Sequence, residues 1–137
     1  MSLSLAEHLE IRYAARKVSQ QVGNRVRLME LLRDWSHFIA LCEKGYKLSA
    51  DDYLEGLDTR EMLQEIVDHV SEDLAEKLNP AVAQLDSRFE AATQAIPQPL
   101  YIVSDPPTPV EVMLYFRMPR KRGAWLEHGL RSMGIIK

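Results

Sequence analysis

Two histidines stand where a metal or proton-transfer site could be built. Asp34 lies three residues before His37, and Glu65 lies four before His69. On a helix, groups three or four apart share a face, so each stretch offers a carboxylate and an imidazole at ligand spacing. Carboxylate-bridged metal bundles point such groups inward, with a glutamate three residues before the histidine. That spacing is absent around His69, and both histidines fall one residue off the apolar stripe of their own segment. They read as solvated flank residues, and no metal or cofactor is expected. Cys42, the single cysteine, lies on an apolar stripe and reads as a small core side chain. There is no phosphate-cradling glycine loop, nucleophile elbow or Cys–His motif, and the run Glu72, Asp73 and Glu76 reads as a solvated helix face. The expectation is a protein that is not an enzyme.

A second set of side chains is suited to binding. Arg117, Arg120, Lys121, Arg122 and Arg131, with Tyr115 and Trp125 nearby, form a basic stretch interleaved with aromatic residues. Such a stretch can hold phosphates and stack a base, or meet an acidic protein surface. Trp35 and Phe38 are candidates of another kind. With Leu28, Leu31 and Leu41 they widen one apolar helix face beyond what a single partner helix covers.

Charge is segregated along the chain. Residues 1–48 carry 8 basic and 5 acidic side chains, residues 49–99 carry 3 and 12, and residues 100–137 carry 6 and 3. An acidic middle between basic ends favours pairing of the segments within or between chains, and leaves a polyanion only the ends to meet. With one cysteine an internal disulfide is impossible, and nothing argues for secretion. The opening residues lack a basic segment followed by an apolar run, and no stretch is long and apolar enough to span a bilayer. A cytoplasmic protein, or a component of a particle assembled in the cytoplasm, is expected.

The elements that must position these groups are mainly helical. Ser4 with Glu7 three residues on has the pattern of a capping box. An apolar stripe through Val18, Val22, Val26, Met29, Leu32, Ile39 and Cys42 predicts one helix over about 4–45. Gly23-Asn24 interrupts it, but a glycine costs only about 1 kcal/mol in a helix. A second long helix is predicted over about 58–96, from Leu63, Val67, Val70 and Leu74 and then Leu78, Val82, Leu85, Phe89, Ala92 and Ile96. The step from Leu74 to Leu78 breaks the alternation of that seam, so the stripe rotates there. Asp58 and Glu61, inside Leu57 and Met62, predict its N-terminal cap. Between the helices, residues 46–57 read as a connection with a short helical turn from Ser49 to Glu55.

Residues 97–109 hold five of the seven prolines, which stops the helix and extends the chain. Leu100–Val103 and Val110–Met118 are predicted to pair as an antiparallel ribbon, followed by a basic turn and a short helix over 124–133. The fold expected is mainly α: a long antiparallel helical hairpin over residues 1–96, with a small β-ribbon and short-helix appendage over 97–137. Its wide apolar face and unpaired strand edge favour self-association. The function expected is a non-enzymatic assembly or interaction subunit that oligomerises or docks into a larger complex, such as a structural or connector protein of a virus particle. The alternative is a small nucleic-acid-binding or regulatory protein that uses the C-terminal basic stretch.

Overall fold

The computed structural model describes residues 2–137. The chain is mainly helical, with six helices and one two-stranded antiparallel sheet among the described residues. Helix α1 spans Leu5–Val22 and α2 Leu28–Lys44. Helix α3 spans Ala50–Asp68 and α4 Glu72–Ala92. Strand β1 follows at once over Thr93–Ala95, and after a proline-rich loop come α5 (Pro109–Tyr115), β2 (Arg117–Pro119) and α6 (Ala124–Ser132).

Each of the two long helices expected from the pattern is broken. The first break is at Gly23, which caps α1 in the left-handed conformation (φ 77°) and donates its N–H to the Ser19 carbonyl. The Ser19 hydroxyl accepts from the Val26 N–H at 2.9 Å, which pins the outgoing segment. These bonds, together with a backbone only glycine adopts cheaply, outweigh helix continuity. The second break, at residues 69–71, precedes the slip in the apolar stripe, which lies between Leu74 and Leu78 inside the unbroken α4. Ser71 caps α4 by accepting from the Leu74 N–H, and its own N–H donates to the Glu10 carboxylate of α1. The expected cap at Asp58 is also displaced. Ser49 is the cap, in a box with Asp52, so α3 begins earlier and Asp58 is an interior helix residue.

Helix α2 packs against both α3 and α4, which covers its wide face. Trp35 and Phe38 are buried there, at 0% and 6% exposure. The Trp35 ring lies 5.0 Å from that of Phe89 on α4, and the Phe38 ring 5.3 Å from that of Tyr53 on α3. Gly56 makes the second contact possible, since a Cβ there would stand 2.1 Å from the Phe38 ring. Beneath the aromatic cluster, the buried Arg60 donates to both carboxylate oxygens of Asp86 at 2.9 Å. The Trp35 indole N–H donates to the same carboxylate at 3.1 Å.

The C-terminal ribbon differs from the expected one. Most of Val110–Met118 is α5, because Thr108 and Glu111 form a capping box and Pro109 occupies the first turn, where its missing N–H costs nothing. Met113 and Tyr115 are also apolar, so the apparent period of two was not selective. Leu100–Val103 is not a strand. Instead β2 pairs with β1, Thr93 opposite Pro119 and Ala95 opposite Arg117. The short C-terminal helix is present as expected; α6 buries Leu126 and Leu130 and packs against α3. No helix among the described residues is long and apolar enough to cross a membrane.

Candidate functional site

The histidines do not converge on a site. His37 and His69 lie off the core, and the His69 ring Nδ1 is taken by the Glu65 carbonyl of its own helix at 2.7 Å. Among the described residues no three His, Cys, Asp or Glu side chains are grouped for a metal ion. Burial pushes the Cys42 thiol up to about 12, so it stays protonated and unreactive.

Of the eight residues singled out for partner contact, the structure removes five from the surface or spends them internally. Trp35 and Phe38 belong to the core. Tyr115 is 2% exposed and donates its hydroxyl to Glu61 at 2.6 Å. Arg117 donates to the Thr93 hydroxyl and to the carbonyls of Glu90 and Thr93, bracing β1. Arg122 donates to the Pro119 carbonyl at 2.7 Å. Arg120, Lys121 and Trp125 remain exposed. The structure adds Lys44 and Lys47 to them, because the α2–α3 connection runs beside residues 121–123 in a parallel bridge between Tyr46 and Arg122.

A second surface was not legible in the sequence. Helix α1 and the segment leading into α2 enclose a groove of about 710 Å³. Ile11, Ala15, Val26 and Leu28 contribute apolar lining, and Arg12, Arg16, Arg25 and Arg27 stand around it. Arg12 and Arg16 are one turn apart on α1, while Arg25 and Arg27 both line the groove from the non-helical segment that follows Gly23. A continuous helix would have turned those last two about 200° apart, which is why the spacing alone does not disclose the cluster. All four are exposed, and none makes an ion pair among the described residues. Like charges held this close repel. His8 and Glu30 complete the rim. Such an arrangement can accept an apolar side chain flanked by carboxylates, which arginine grips through two parallel N–H groups. Beside the groove, α1 also leaves Leu5, Leu9 and Tyr13 exposed, one turn apart each.

Elsewhere the chain carries an apolar projection. Ile102 is 85% exposed and Tyr101 59%. The loop that presents them is braced. The Leu100 N–H donates to the Tyr115 carbonyl at 2.8 Å, the Ser104 N–H to the Glu111 carboxylate at 2.9 Å, and the Tyr101 ring lies 6.1 Å from that of Tyr115. The exposed Asp105 follows three residues after Ile102. The cap also holds the Glu111 carboxyl below its usual range, through the backbone N–H groups of Thr108 and Ser104.

No family model, curated protein or solved structure matches the chain.

Proposed function

We propose that the chain is a non-enzymatic assembly subunit that associates head to tail, the Ile102 projection of one copy entering the arginine-rimmed groove of the next. The observation that carries this reading is the presence of both halves on one chain: a fixed, exposed aliphatic side chain, and an apolar groove rimmed by four exposed arginines. Burying Ile102 removes apolar surface from water, and Asp105 supplies a carboxylate for the arginines. The acidic middle segment adds a long-range attraction to the basic first segment of a neighbour. Because the two surfaces differ, the contact is heterologous and generates a ring or a filament according to the rotation between copies.

Sedimentation of charge and shape variants tests this. The wild-type mass should rise with concentration, and Ile102→Asp and Arg12→Glu/Arg16→Glu should each sediment as monomers. Mixed together, the two variants retain one intact groove and one intact projection, so a discrete 1:1 species should form and grow no further. A wild-type chain that stays monomeric throughout, or variants that assemble as it does, would overturn the proposal.

A further inference from the structure

We infer that a second surface, formed by Lys44, Lys47, Arg120, Lys121 and Trp125, binds single-stranded nucleic acid, with phosphates on the cations and a base stacked on the indole. It is built separately from the α1–α2 groove and does not depend on assembly.

The backbone brings these residues together. The Tyr46 N–H donates to the Lys121 carbonyl at 2.9 Å, and the Gly123 N–H to the Tyr46 carbonyl at 2.8 Å. Gly123 permits the approach, because a Cβ there would stand 3.3 Å from the Lys47 Cα. The cations of the α2–α3 connection therefore join those of the β2–α6 turn. None of the four makes an ion pair among the described residues. The Arg120 side chain donates its Nε–H to the Ala91 carbonyl, which leaves the terminal amino groups of the guanidinium to meet a phosphate. Three of the carboxylates on the adjoining segments are engaged. Glu43 is held by Arg88, and Glu127 by Arg122 and Arg131. Asp52 turns back onto Ser49. Asp51 and Glu55, exposed on the first two turns of α3, and Glu90, beside the Ala91 that holds Arg120, are the acidic neighbours left over, three charges against four.

Trp125 decides between ligand classes. It is 58% exposed and lies two residues past Gly123, in the first turn of α6 after the basic turn, whose cations can position a backbone without reading sequence. Single-stranded nucleic acid offers phosphates and an open base face together. A duplex keeps its base faces stacked, and an acidic peptide supplies charge alone.

The chain's two tryptophans make the experiment direct. Trp35 is sealed in the core and hydrogen-bonded to Asp86, so quenching of intrinsic fluorescence by a short oligothymidylate reports on Trp125. The expected result is quenching that Trp125→Phe abolishes. Binding of a labelled oligothymidylate should weaken about tenfold in Trp125→Ala, the effect of one unstacked base. In Lys47→Ala/Lys121→Ala, the slope of log affinity against log salt should shrink by about 1.4, at roughly 0.7 for each single-strand phosphate that is no longer neutralised. Arg12→Glu/Arg16→Glu should leave oligothymidylate binding within about twofold of wild type, since groove and lysine surface are separate. Absence of binding at low salt would overturn the inference. So would heparin or polyglutamate quenching Trp125 as strongly as the oligonucleotide, which would make the surface a receptor for charge alone. Abolished binding in the groove variant would place the nucleic acid on the groove instead.

Discussion

The Arg60–Asp86 pair shows how much one side chain can decide here. Arg60 is 4% exposed, yet in sequence it is an ordinary arginine in an acidic helix. Its two bonds to Asp86, with the Trp35 indole on the same carboxylate, satisfy a charge that burial would otherwise make costly. Removing Asp86 leaves the guanidinium buried without its carboxylate. Asp86→Ala should therefore destabilise the fold by about 3–5 kcal/mol in denaturant unfolding, whereas Arg60→Met/Asp86→Leu should recover most of that loss. Equal destabilisation by both would show that the pair itself stabilises the core. At the surface, Glu7 is held down to about 2 from its usual 4.5 by the Lys77 ammonium first and then by the Ser4 backbone N–H. A depressed carboxyl contributes stability that is full above the unfolded value and is lost as pH falls through the folded one. Glu7→Gln should therefore flatten the acid limb of stability between about pH 4.5 and pH 2, and leave the neutral limb parallel to wild type.

At the scale of elements, helix starts are readable where an oxygen-bearing cap and its reciprocal carboxylate stand three residues apart. Ser4 with Glu7 is plain in the sequence. Ser49 with Asp52 reads only as the start of a short turn, because the glycine at position 56 looks like a stop. It is instead an interior position that makes room for the Phe38 ring, a tertiary demand that no local pattern carries. The two candidate caps are separable by experiment. Ser49→Ala should cost about 1 kcal/mol, the usual size of a lost cap, with the thermal midpoint falling accordingly. Asp58→Ala should show no cap-sized loss, since Asp58 lies inside α3. The slip at Leu74 is a rotation of the stripe inside α4, whereas the break at 69–71 leaves no mark on the stripe, because periodicity does not register a tight corner between helices. The proposed groove is illegible for the same reason: its arginines come together only once the chain leaves the helix at Gly23.

Across the whole molecule, the mainly helical class follows from apolar spacing, and a small β appendage is expected, though its strands lie elsewhere, at Thr93–Ala95 and Arg117–Pro119. The register of that sheet does not follow, since β1 is only three residues long and directly continues a helix. The width of the α2 face does signal a need for more than one cover. The chain supplies both covers itself, in α3 and α4, so the proposed assembly rests on other surfaces. The charge segregation has a different geometry from the one the sequence suggests. The basic ends do not simply meet the acidic middle; they leave two separate cationic surfaces open, one rich in arginine around an apolar groove and one rich in lysine beside an indole. The second of these joins the turn after α2 to the turn before α6, and that has a consequence in time. During synthesis at about 5–20 residues per second, Lys44 and Lys47 leave the ribosome well before Arg120 and Lys121, by a lag on the order of 4–15 s. During that interval α3 and then α4 join α2, while the bridge from Tyr46 to Arg122 is still missing. A nascent chain can thus fold much of its helical core before the lysine-rich surface is complete.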